Sequence, residues 1–300
     1  MRKIFKWIGI VLGTLIGLVL LAGVALFLMG NARLNKVYSF EPTNLTLPMD
    51  AASIEYGKHR AETLCMGCHA TDLSGIDNWF NAPPLGVIDS ANLTTGEGGL
   101  PADFATEDFV LAIRHGVGQD GKPIFMPAVT ATSNLSDEDL ASIIAYLKTI
   151  PPVDHTHQER HFTPLANILL AAGMLGSLPV ESVSHDVYVT APERGITAEY
   201  GGYLVNINDC RVCHGPDLNG GPFPDPTITK ISPNITPGGE LGFWTEEEFI
   251  TAFQTGVTPN GRQLDPDFMP WKEFANFSAE EAKAIWLYLQ SLPKLEQYTE

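Results

Sequence analysis

Cys65-Met66-Gly67-Cys68-His69 and Cys210-Arg211-Val212-Cys213-His214 together use every cysteine in the 300-residue chain. Outward from these two pentapeptides the sequence repeats itself. Upstream, Glu55-Tyr56-Gly57 recurs as Glu199-Tyr200-Gly201. Downstream, Ser90-Ala91-Asn92-Leu93-Thr94 matches Ser232-Pro233-Asn234-Ile235-Thr236, and Thr106-Glu107-Asp108-Phe109 matches Glu246-Glu247-Glu248-Phe249. Gly116-Val117 and Met126-Pro127 have counterparts in Gly256-Val257 and Met269-Pro270. Both copies close on similar runs, Tyr146-Leu147-Lys148-Thr149-Ile150-Pro151 and Tyr288-Leu289-Gln290-Ser291-Leu292-Pro293. The chain therefore divides into copies at 51–151 and 198–295. A linker at 152–197, rich in Pro, His and Val and containing a short apolar helix, joins them.

Within each copy the local signals are short and helical. Ser136 precedes Asp137, Glu138 and Asp139, and Ser278 precedes Glu281 by three, so both start a last helix. Leu140, Ile143, Ile144 and Leu147 form a buried stripe, matched by Ala282, Ile285, Trp286 and Leu289. Thr245 with Glu248 caps a middle helix, and Thr106 is expected to cap its partner. A first helix runs up to each cysteine pair. Pro- and Gly-rich loops with little strand character fill the rest, so the fold class is mainly α with a thin core that needs another filler.

C-x-x-C-H names that filler. Two thiols three residues apart can add to the two vinyl groups of one porphyrin, and the adjacent His then lies under the iron. Zinc is the rival, but each motif offers three ligands and the repeat supplies no shared fourth. A disulfide or a redox-active C-x-x-C would also use cysteines at this spacing. The paired motifs favour two covalently bound haem c groups, on Cys65 and Cys68 and on Cys210 and Cys213. His69 and His214 are the proximal ligands. For the distal side, Met126 lies 57 residues after His69 and Met269 lies 55 after His214, each just before a Pro. They are the Met residues in matching repeat positions. His115 rivals Met126, but its counterpart is Thr255. His155, His157, His161 and His185 fall in the linker without repeat partners and read as surface groups or weak metal contacts. Carbonyls around Pro83 and Pro84, and Pro222 or Pro224, are expected to accept the second N–H of each proximal imidazole. Asn92 and Thr94, with Asn234 and Thr236, are expected to donate to haem propionates.

The charge is uneven. Thirty-five acids against eighteen bases give −17, which opposes binding to nucleic acid. Residues 1–50 hold Arg2, Lys3, Lys6, Arg33 and Lys36 against Glu41 and Asp50, so the other 250 residues carry −20. From Trp7 to Gly30 there is no charge, and those 24 residues span roughly 36 Å as a helix, enough to cross a bilayer. The preceding bases put the N-terminus in the cytoplasm and the acidic bulk outside. A cleaved signal peptide ending near Gly30-Asn31-Ala32 is the competing reading, although the run exceeds the usual length of such peptides. Segment 1–30 is thus expected to be a single-pass anchor in the inner membrane. Residues 31–50 are its tether, and the stretch 31–52 would reach at most about 75 Å if fully extended. Pro164–Val180 is also apolar. A span there would put the second C-x-x-C-H in the cytoplasm, whereas c-haem is attached outside it, so this stretch is read as an interdomain helix or a surface patch.

These features resemble the class I cytochrome c family, twice over: a helix with Tyr-Gly, C-x-x-C-H, a Met-Pro loop and a closing Tyr-Leu-x-x-[Ile/Leu]-Pro helix. The Asn-[Leu/Ile]-Thr segment, followed by Gly-rich residues and [Thr/Glu]-Glu-x-Phe, is similar to the membrane-bound cytochrome subunits of bacterial alcohol and sugar-acid dehydrogenases. Those typically carry three such domains, and this chain has two. The resemblance implies two tandem cytochrome c domains, thioethers at the four cysteines and axial pairs His69/Met126 and His214/Met269. It also implies electron transfer between a dehydrogenase or quinol-oxidising complex and a soluble cytochrome or terminal oxidase, without independent catalysis. His/Met ligation fills both axial positions and leaves no open site. The second reading is a dihaem enzyme of the peroxidase or thiosulfate-oxidising type. The acidic bulk calls for a partner with a basic docking face.

Overall fold

The computed structural model describes residues 2–41, 43–158, 160–186, 188–224 and 228–299. Its helices are α1 (Arg2–Leu34), α2 (Ala51–Leu64), α3 (Met66–His69), α4 (Thr106–Val110), α5 (Val129–Thr132), α6 (Asp137–Leu147), α7 (Pro164–Ala171), α8 (Ala198–Ile207), α9 (Cys210–His214), α10 (Glu246–Thr255), α11 (Trp271–Phe274) and α12 (Ala279–Ser291). A π-helical turn, Leu111–His115, extends α4. Strands β1 (Phe80–Ala82), β2 (Gly86–Ile88) and β3 (His161–Phe162) form a small antiparallel sheet in that order, and β4 (Gly221–Pro222) pairs with β5 (Ile231–Ser232).

The helices begin where the side chains dictate. Asp50, Ser136, Thr163, Thr197, Thr245 and Ser278 each accept a bond from a backbone N–H in the first turn that would otherwise lack a partner. Thr106 does not cap α4. Thr106 is already the first helical residue; the N-cap is Ala105, which has no side-chain acceptor, and the Asp108 carboxylate accepts from the Ala105 N–H at 2.8 Å.

The repeated Tyr-Gly pairs are explained by one crossing made twice. A Cβ on Gly57 would lie 1.9 Å from the Ser142 carbonyl oxygen, and one on Gly201 would lie 1.9 Å from that of Ala284. Glycine lets the backbones of α2 and α6, and of α8 and α12, touch. The stripes read from the sequence are buried against these crossings, with Leu140 and Ile144 of α6 and Ala282 of α12 at 0% exposure.

The two copies pack on each other through equivalent residues. His59 of α2 bonds Glu281 at the start of α12 at 2.8 Å, and its counterpart Tyr203 of α8 donates to Asp139 at the start of α6 at 2.7 Å. Thr130, four residues after Met126, donates to the Asp209 carboxylate beside Cys210. Glu273, four after Met269, lies over Gly67 between Cys65 and Cys68. One apolar core runs through both copies, including Leu140, Ile144, Leu204, Phe249 and Leu289.

A second, smaller core joins α1 to the first copy. Leu34, Val117, Leu170, Leu178 and Val180 pack there with Tyr38 and Phe40. A Cβ on Gly30 would lie 2.0 Å from the Asn167 carbonyl oxygen, so α1 and α7 cross in backbone contact. Just beyond, Arg33 is ion-paired with Glu181 and donates to the Leu170 carbonyl at 3.0 Å. The tether is consequently no free arm. The Tyr38 N–H donates to the Gly121 carbonyl at 2.9 Å, Phe40 stacks on His115, and Leu45 and Leu47 reach the main core. Its apolar residues find surface to bury, so it lies down along the molecule.

Candidate haem-attachment sites

Each C-x-x-C-H is built the same way. A longer helix, α2 or α8, ends at the motif, and a short helix carries the second Cys and the His. Cysteines three apart on one helical turn share a face. None of the four is paired in a disulfide. Burial pushes the thiols of Cys65 and Cys210 up to about 12, so in the protein alone they stay protonated. Among the described residues no group of three His, Cys, Asp or Glu side chains gathers around these cysteines as a metal cage would require.

The histidines are fixed by the same device in both copies. His69 Nδ1 donates to the Ala91 carbonyl at 2.8 Å, and His214 Nδ1 donates to the Pro233 carbonyl at 2.8 Å. A carbonyl can only accept, so Nδ1 carries the proton and Nε2 keeps the lone pair that an iron ligand offers. Burial lowers both imidazole pKa values and favours that neutral form, while the carbonyl bond pulls the other way. The thiols, the neutral imidazoles and the tautomer all fit a covalently held haem.

The acceptor carbonyls correct an expectation. They belong to Ala91 and Pro233, in the repeated Ser-x-Asn-x-Thr segments, and not to the proline loops at 83–84 and 222–224. The neighbouring Asn and Thr have a different task from the one expected. Asn92 Nδ2 donates to the Val153 carbonyl at 2.8 Å, while its Oδ1 accepts from the Thr94 N–H at 2.9 Å. Asn234 does the same with the Leu295 carbonyl at 2.7 Å and the Thr236 N–H at 2.8 Å. All four side chains are buried. They clasp the chain that leaves each last helix and hold the acceptor carbonyl in place, so they are not free for propionates. No side-chain signal marks a main-chain acceptor, but the repetition of the segment marks its position.

Met126 and Met269 occupy matching places, each followed by Pro and then a one-turn helix, α5 or α11, ahead of the last helix. Both are half-buried, and Met269 packs on the main core. His115 is buried, stacked on Phe40 with centroids 4.4 Å apart and bonded to His185 at 2.9 Å. Its ring is committed to packing.

The fold and these sites define a class. Residues 52–147 match the family described as cytochrome c oxidase, cbb3-type, subunit III, and this part of the chain is a c-type cytochrome domain, whose haem c is covalently bound. The chain is similar to the fructose dehydrogenase cytochrome subunit of Gluconobacter japonicus, at 26% identity over 76% of this chain and 50% of that protein. It is also similar to the cytochrome c subunit of the quinone alcohol dehydrogenase of Gluconobacter oxydans (strain 621H), at 25% identity over 83% of this chain and 56% of that one. A diheme cytochrome c-type of Cereibacter sphaeroides is 29% identical over 64% of this chain and 67% of its own length. The chain thus spans about half the length of the dehydrogenase subunits it matches. The first two relatives are by name cytochrome subunits of dehydrogenases.

Proposed function

We propose that the chain is a membrane-anchored dihaem c-type cytochrome that passes electrons from a dehydrogenase or quinol-oxidising complex to a soluble cytochrome or terminal oxidase. Cytochrome c domains at 51–151 and 198–295 each hold one haem c, through Cys65 and Cys68 and through Cys210 and Cys213. His69 with Met126, and His214 with Met269, are the axial ligands. Bound haem supplies reversible one-electron exchange. The chain's own residues fix the tautomer and orientation of each imidazole, exclude water, and keep the two attachment helices against the opposite copy. The observation that carries the reading is the twin Nδ1 bond, His69 to Ala91 and His214 to Pro233, both 2.8 Å.

Helix α1 is the one described helix long and apolar enough to cross a membrane. The packing of Gly30 on Asn167 and the pairing of Arg33 with Glu181 support a retained anchor over a cleaved leader, because they lie at the point where cleavage would fall. The anchor sits in the inner membrane with both copies on the extracytoplasmic side.

The test is a haem count with a redox titration of the full chain in detergent. Two c-type haems per chain are expected, and one or none overturns the reading. Met126→Ala and Met269→Ala should each lower the potential of one titration step and leave the other in place, since Met/His ligation raises the potential. If neither variant changes the spectrum or the potential, the methionines are not ligands. A centre left open by design, as in a dihaem enzyme, would bind carbon monoxide in the reduced wild-type protein, and none is expected to bind.

A further inference from the structure

We propose a metal site apart from the haem ligands, in which His155, His157 and Asp77 bind a divalent cation of the zinc class, with Asp89 as a fourth ligand. Asp77, His155 and His157 each offer one ligand atom, and these atoms lie within 4.8 Å of one another. Asp77 Oδ1 is 3.1 Å from His155 Nε2 and 3.4 Å from His157 Nδ1, and Asp89 Oδ2 is 3.9 Å from His157 Nδ1. Two imidazoles and carboxylate oxygens are a donor set for borderline first-row divalent ions.

His157 is the deciding residue. Its side chain is nine-tenths buried, and its Nε2 donates to the Ser74 carbonyl at 2.8 Å. With the proton fixed on Nε2, Nδ1 presents a lone pair. That atom is buried and makes no hydrogen bond. It faces two carboxylates, so three acceptors converge on one small volume. Acceptors this close repel unless a cation stands between them. An outer-shell bond from the far nitrogen to a carbonyl is also how metal-binding imidazoles are ordinarily held. Asp89 is held just as firmly: its two oxygens accept from the Asn78 N–H at 2.7 Å and the Gln158 N–H at 2.8 Å.

The second copy provides an internal control. His157 sits over Gly75, where a Cβ would lie 2.5 Å from Nε2. Over the equivalent Gly220 lies Gln297, which accepts from the Asn234 N–H at 2.8 Å and donates to the Ser232 carbonyl at 3.2 Å. A neutral amide closes that niche with both its polar ends paired. The residues matching Asp77 and Asp89 there are Pro222 and Ile231. The fold therefore needs no imidazole or carboxylate at this position, and the first copy has two of each. A bound ion would fasten residues 153–158 to the loop that ends in Ala91, the acceptor of the His69 bond.

The full-length protein in detergent, cleared with a chelator and dialysed, should be titrated with zinc chloride by calorimetry, and its zinc-to-iron ratio measured by elemental analysis. One zinc per chain at micromolar zinc is expected. His157→Gln, the side chain the second copy uses, and Asp77→Asn, at an exposed carboxylate, should each weaken binding by at least about tenfold. Their visible spectra should match wild type, which reports folding. Wild-type protein that binds no zinc, as when the imidazole simply takes a second proton, overturns the proposal. So does zinc bound equally well by both variants, which would place it elsewhere.

Discussion

At the scale of single residues, the two glycines of the Tyr-Gly pairs and one buried histidine have measurable consequences. Gly57→Ala or Gly201→Ala would drive a methyl group into a backbone carbonyl and force the paired helices apart. Each should destabilise the fold by about 1–3 kcal/mol, read as a lower Tm, whereas Gly17→Ala in α1, with open space around it, should leave Tm unchanged. Burial, with the neighbouring His185 and Arg114, lowers the His115 pKa to about 4, against an ordinary value near 6.5. The folded form therefore resists a proton that the unfolded chain accepts. Stability from this group is full above about pH 6.5 and falls as pH drops toward 4. His115→Thr, the residue the second copy has, should flatten that slope in denaturation curves taken across the interval.

At the scale of elements, the caps and stripes of the last helices and the repeat itself were legible, because capping and 3.6-residue periodicity are local. What decides α1 and α7 is not local. Nothing in Gly30-Asn31-Ala32 announces that Gly30 meets Asn167 more than a hundred residues on, and a run that looks like a tether hides Tyr38 and Phe40 in a separate core. The carbonyls of Ala91 and Pro233 were illegible for a related reason: a main-chain oxygen is the same at every residue, and only the fold aims it. Gly30→Leu should lift α7 from α1. The expected outcome is faster proteolysis in the exposed turn at 172–177, with haem content unchanged. If cleavage is no faster, the crossing does not hold α7.

At the scale of the whole molecule, equivalent contacts between the copies need not be equally strong. Glu281 bonds His59 and pairs with the fully buried Arg60, so Glu281→Gln leaves a buried cation without its counter-charge and should cost about 3–5 kcal/mol. Asp139→Asn weakens a bond from a neutral phenol and a pairing at 3.6 Å with the part-exposed Arg194, which leaves no buried cation behind, and should cost about 1–2 kcal/mol. Chemical denaturation of the two variants checks the order. The −20 carried beyond residue 50 should make association with a basic redox partner slow down as salt is added, which stopped-flow mixing at several ionic strengths would show.

The reciprocal contacts, His59 with Glu281 and Tyr203 with Asp139, are arranged as in a homodimer, where each subunit offers the same patch to the other. In a true dimer both halves must be identical, and any mutation lands twice. Joining the halves in one chain removes that constraint. An imidazole can stand at one end of the axis and a phenol at the other, an acid can overlie one C-x-x-C-H helix and a hydroxyl approach the next, and two sites that repeat one pattern become free to differ.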